Sequence, residues 1–171
     1  MKRAAKCAAL GIAIAALLTA PAVAQSVKLI GEFRSWSAYS AAEQTGQVCF
    51  ALTRPTEITP QPDGFTEAYL YLTHRPALGV RNELNLVAGF TFAADTPATV
   101  TVSGQTFDLF TDKDAAWLKN PSQNDDLAGA LRAGSSVIVE ATTDAGIKVS
   151  ETFSLSGATA ASRAIEGDCT G

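Results

Sequence analysis

Few residues in this chain have the types and spacing that chemistry requires. His74 is the single histidine. A catalytic histidine needs a nucleophile to activate and an acid to orient it. The chain has no Gly-x-Ser-x-Gly elbow, and His74 stands at a strand end just before Arg75-Pro76. It reads as an edge or surface residue. Asp108, Asp112 and Asp114 are spaced two or four apart, with Asp125 and Asp126 further on. Oxygen-rich loops hold calcium, but the spacing of a calcium-binding EF-hand loop, with its central Gly and distal Glu, is absent. A solvated acidic loop is the expectation, with no catalytic residue, no metal and no cofactor.

Glu151 is the residue out of place. Ile147, Val149, Glu151, Phe153 and Leu155 alternate along one strand and share a face. A carboxylate buried among apolar side chains is costly unless it is paired. The expectation is a buried ion pair that supports the fold, with Arg75, Arg81, Arg132 or Arg163 as the cation, or else hydrogen bonds to backbone. A ligand-binding carboxylate is the alternative.

Aromatic residues offer a different chemistry, since Trp36, Tyr39, Tyr69, Tyr71 and Trp117 could stack on sugars or anchor a protein partner. Most should fill the core. Tyr69 and Tyr71 alternate with Leu70 and Leu72 and share their face with Glu67 and Thr73. That face is polar enough to meet solvent, so Tyr69 and Tyr71 are the candidate binding surface.

The elements that must carry these residues are mostly strands. Alternation marks 27–39, read as one irregular or bulged strand, then 47–53, 67–74 and 82–92. A hairpin over 99–110 turns at Ser103-Gly104, and another joins 137–143 to 147–155 through Asp144-Ala145-Gly146. Residues 60–64, Pro-Gln-Pro-Asp-Gly, are turn chemistry. Two short helices are expected. One runs through Leu127–Arg132 to Gly134, with Asp125 and Asp126 at its start; the other runs from near Ser156 to Gly167. About eight mainly antiparallel strands at short spacing read as a β-sandwich or barrel. An all-β fold, a β-sandwich with two short helices, is the expectation.

Of the 171 residues, 47% are hydrophobic and 18% charged, a globular composition. A net charge of -4 argues against a nucleic-acid partner, which calls for a clustered basic face. Residues 1–24 have the form of a cleaved secretory signal peptide: Lys2, Arg3 and Lys6, an apolar run from Cys7 to Leu18, and an Ala-x-Ala site ending at Ala24. The run is too short to span a membrane. Residues 25–171 are then expected as a single domain, periplasmic or secreted, with no transmembrane segment. Loss of the three basic residues takes the net charge from -4 to -7. Cys49 and Cys169 are the cysteines that remain. Export favours a disulfide between them; two thiols or a zinc pair are the alternatives.

The C-terminal third carries an ordered set of motifs: Asp114-Ala115-Ala116-Trp117, Leu127–Gly134, Glu151-Thr152-Phe153-Ser154-Leu155-Ser156-Gly157, then Ala160, Ile165 and Cys169. Upstream stand Trp36, Cys49-Phe50-Ala51-Leu52, Arg54-Pro55, Asn82-Glu83 and Gly89-Phe90-Thr91-Phe92. In this order they resemble the invasion-associated locus B family of bacterial envelope proteins. Two features depart from its pattern. Asp144-Ala145-Gly146 replaces the family's Arg-Gly-Thr turn, and Tyr39 stands near where some members carry a further cysteine, so one bridge is expected. The resemblance implies an exported envelope protein, linked in some bacteria to host-cell invasion, and no reaction. The functional expectation is a non-enzymatic binding or interaction module whose partner is an envelope or host protein or a glycan. The alternatives are an envelope hydrolase using paired carboxylates, or an inhibitor of a lytic enzyme.

Overall fold

The structure, a computed structural model, describes residues 26–169. The signal-peptide reading of residues 1–24 lies outside them. Eleven strands, all paired antiparallel, form one sheet: β1 (Val27–Phe33), β2 (Trp36–Glu43), β3 (Gly46–Thr53), β4 (Pro55–Thr59), β5 (Tyr69–Arg75), β6 (Val80–Val87), β7 (Ala98–Val102), β8 (Gln105–Asp112), β9 (Ala115–Leu118), β10 (Ser136–Thr142) and β11 (Lys148–Ser154). The two helices are α1 (Asn124–Ala133) and α2 (Ala158–Asp168).

The order across the sheet is β1-β2-β3-β5-β6-β9-β8-β7-β10-β11-β4. Only Arg54 separates β3 from β4 along the chain, yet β3 is third in the order and β4 is last. The sheet must therefore curl round until its far edge returns to β3. The Thr53 hydroxyl donates to the Ser35 carbonyl, and the Thr56 hydroxyl to the Thr152 carbonyl, so the two ends are held near one another.

All-β is the right class, but the expected sandwich of about eight strands gives way to a single curled sheet of eleven. Three differences account for the count. The stretch 27–39 is two strands, because Arg34 takes a left-handed φ of 56° and Phe33 pairs with Trp36 across a two-residue turn. β4 begins at Pro55 itself; a proline is tolerated there because it is the first residue of an edge strand. β9 is four residues long, too short to show a period. The hairpin at Ser103-Gly104 turns where expected, with both residues at positive φ.

Inward residues form one core, including Trp36, Ala51, Leu70, Leu84, Val100, Leu118, Val139 and Phe153. α2 packs across β1, β2 and β3, while α1 packs on β6 and touches α2. Asp125 and Asp126 in the first turn of α1 and Arg132 in its last complement the helix dipole, as read from the sequence. Leu127, Leu131, Ala161 and Ile165 carry the helices into the same core. Cys49 on β3 and Cys169 just after α2 are joined, with their α-carbons 5.9 Å apart. Among the described residues, no helix is long and apolar enough to cross a membrane.

Candidate functional site

The pleat sends alternate residues of β2, β3, β5, β6, β9 and β8 away from the core. Their pairing aligns one row: Ser37 with Leu52, Leu52 with Tyr71, Tyr71 with Asn85, Asn85 with Trp117, and Trp117 with Phe110. Tyr39 and Phe50, paired with each other one pleat further along, extend it. The rings lie close enough to interact. Tyr39 stacks on Phe50 at 5.4 Å, Phe50 tilts against Tyr71 at 6.1 Å, Tyr71 meets Tyr69 at 6.0 Å, and Phe110 stacks on Trp117 at 5.2 Å.

Two shallow depressions flank Tyr71. One, of about 560 Å³, is lined by Phe50, Tyr71, Thr73, Asn85 and Trp117, with Arg75, Glu83 and Glu43 at its margin. The other, of about 610 Å³, is lined by Ser37, Tyr39, Leu52, Arg54, Tyr69 and Tyr71. The charges are mostly paired off: Arg75 with Glu83, and Arg54 with Glu67 at 3.2 Å. Arg54 also donates to the Tyr69 hydroxyl at 3.0 Å and lies over its ring, while that hydroxyl donates to Glu67. Burial, and then the neighbouring Tyr69, push the Tyr71 phenol above its usual pKa, so it stays a neutral hydroxyl.

Tyr69 and Tyr71 therefore stand on the outward face, as expected, with Leu70 and Leu72 buried behind them. Trp36 does not join them: it is core, and its indole Nε1 donates to the Ser154 carbonyl. Phe50, Asn85 and Phe110 escaped the sequence reading. Phe50 lies between buried Cys49 and Ala51, so the alternation itself was the signal.

Two other expectations need correction. Glu151 is buried, 1% exposed, but it has no cationic partner, and neither carboxyl oxygen has a hydrogen-bond partner. Arg75 is held by Glu83 on the outward face, while Arg81, Arg132 and Arg163 are exposed. Burial pushes the Glu151 carboxyl up to about 8, which leaves it protonated at neutral pH. A neutral acid avoids the cost of a bare buried charge, and the burial is met that way rather than by a salt bridge.

His74 is not at an edge or on the surface. β5 lies between β3 and β6, and His74 is 3% exposed, facing inward opposite Cys49. Its Nδ1 accepts from the Asn82 N–H at 3.3 Å, and Asn82 in turn donates to Asp125 at 2.7 Å. Burial lowers its pKa; Glu166 and Asp125 oppose that, and Arg81 and Arg132 add to it. It is a neutral core imidazole. Asp108, Asp112, Asp114, Asp125 and Asp126 are all exposed. Among the described residues, no cluster of three or more His, Cys, Asp or Glu side chains is arranged to hold a metal ion.

No family model matches the chain. No curated protein matches it in sequence. Among solved structures, the chain is similar to invasion associated protein B from Bartonella henselae. Identity is 15% and the TM-score 0.56, over 81% of this chain and 96% of that one. The two share a fold, which agrees with the resemblance read from the ordered motifs. The Glu151–Gly157 run of those motifs has a structural role here: Ser154 and Ser156 carbonyls accept from Trp36 and Ser35, clasping the β1–β2 turn.

Proposed function

We propose that this chain is an exported, non-enzymatic binding module of the bacterial envelope, and that it binds through the outward face of β2, β3, β5, β6, β9 and β8. The observation that carries the reading is the aligned row of half-exposed rings, Tyr71, Trp117 and Phe110, joined by Tyr39 and Phe50. These rings stand at the surface, where clustered aromatics mark interaction sites. The signal-peptide pattern of residues 1–24 and the Cys49–Cys169 bridge support export. The Bartonella henselae neighbour is an invasion associated protein, which is consistent with a role in contact with a host.

The test is retention on immobilised protein. Envelope and host-surface extracts are passed over the parent chain and over a Tyr71→Ser/Trp117→Ala variant of matched thermal midpoint. Material held by the parent and lost by the variant supports the reading. Equal retention by both moves the binding surface elsewhere.

A further inference from the structure

The row's chemistry narrows the ligand, and this inference rests on the binding reading above. We propose that the row Leu52–Tyr71–Asn85–Trp117–Phe110 is a platform for a linear, uncharged glycan.

Three observations combine. First, the site is long and open. The aligned residues run from Ser37 on β2 to Phe110 on β8, five inter-strand steps of about 4.8 Å, or roughly 24 Å. The depressions beside Tyr71 are shallow and adjoining, so they suit a polymer lying across the strands better than a small enclosed molecule. Second, ring faces are interleaved with short polar groups. Ser37 and Asn85 stand among Tyr39, Phe50, Tyr71 and Trp117. A pyranose presents apolar C–H faces between equatorial hydroxyls, and needs both kinds of contact at close spacing. Third, the charges around the row cancel. Arg75 pairs with Glu83 and Arg54 with Glu67, which leaves Glu43 at the margin. At the Phe110 end a lone lysine, Lys119, shares its hollow with Asp108, so a polyanion finds no cluster of cations along the row. That disfavours acidic polysaccharides and also nucleic acid, whose bases would stack on such rings only within a positive groove.

Trp117 supplies a reporter. The chain has two tryptophans, and Trp36 is buried at 2% exposure, so a ligand on the row perturbs Trp117. The experiment titrates the oxidised protein with cellohexaose and with hexa-N-acetylchitohexaose, following indole fluorescence and heat of binding. At least one hexasaccharide is expected to bind saturably, at least tenfold tighter than its disaccharide, with an affinity that holds from low to high salt. Tyr71→Ser and Phe110→Ala should each weaken it about tenfold or more. Ile138→Ser, on exposed β10 surface outside the row, should leave it unchanged. Equal affinity for disaccharide and hexasaccharide overturns the platform, as does binding that Tyr71→Ser leaves intact. If neither hexasaccharide binds while the Tyr71→Ser/Trp117→Ala variant still loses retained protein from extracts, the glycan inference is wrong and the binding reading stands. If both experiments fail, both are wrong.

Discussion

Gly157 and Phe33 meet so closely that no other residue fits at 157. A β-carbon on Gly157 would lie 1.8 Å from the Phe33 carbonyl oxygen, and the φ of +98° is itself left-handed. This contact seats the start of α2 on the β1–β2 turn, where the Ser35 N–H donates to the Ser156 carbonyl at 3.1 Å. The Ser-Leu-Ser-Gly segment is therefore a structural clasp.

Gly157→Ala should be among the most damaging single changes. The left-handed conformation costs about 1–2 kcal/mol with a β-carbon. The overlap with backbone forces a shift worth a further 1–3 kcal/mol or so. A urea melt is expected to show a loss of about 2–5 kcal/mol. A loss under 1 kcal/mol would mean that the turn and helix are not clasped as described.

Glu151 should make the fold weaken as pH rises. Its folded pKa, about 8, stands above the ordinary 4.5, so the folded state holds the proton longer than the unfolded chain does. The contribution is complete below pH 4.5 and is lost progressively towards pH 8, at about 1.4 kcal/mol per pH unit. Glu151→Gln removes that loss and should be the more stable form at pH 7, by roughly 3 kcal/mol. Melts at pH 5 and pH 7.5 check it: the gap between parent and variant should widen with pH. A variant weaker than the parent at both values would reveal a cationic partner.

His74 acts in the opposite sense. Burial holds its folded pKa below the ordinary 6.5, so its contribution is present above pH 6.5 and is lost as pH falls through the folded value. In a Glu151→Gln background, stability should decline on acidification below pH 6.5. A His74→Gln change should flatten that decline. An unchanged acid limb in the double variant would place the sensitivity in another group.

The Cys49–Cys169 bridge closes a sequence separation of 120 residues and ties α2 to β3. Chain-entropy reasoning assigns such a loop roughly 4–5 kcal/mol. Cys49→Ala/Cys169→Ala should lower the thermal midpoint by at least about 8 °C in a domain of this size. Alkylation of the parent before reduction should label neither cysteine; two labelled thiols would show that the bridge is absent.

Local patterning was legible in the chain because strands and turns are local. Alternation marked β5, β7, β8, β10 and β11, and Ser103-Gly104 and the Asp144–Gly146 turn placed two hairpins. The helix ends were legible for the same reason, in Asp125, Asp126, Arg132 and Gly134. It also placed Tyr69 and Tyr71 on a face of their own, opposite Leu70 and Leu72.

Which strands become neighbours is not a local property. A sandwich and a curled sheet share the same alternation, and the choice was made by pairings such as β6 with β9 and β11 with β4. Those pairings decided that Tyr71 lies two strands from Trp117, with Asn85 between them, and so assembled the row. They also decided the state of the two buried titratable groups. The apolar face of β11 announced that Glu151 would be buried, but only the tertiary packing left it without an ion pair to any arginine among the described residues, a protonated acid in place of a salt bridge. His74 looked peripheral beside Arg75-Pro76, and became core because β3 and β6 flank β5. The residues state what each position prefers; long-range strand order determines which preferences meet.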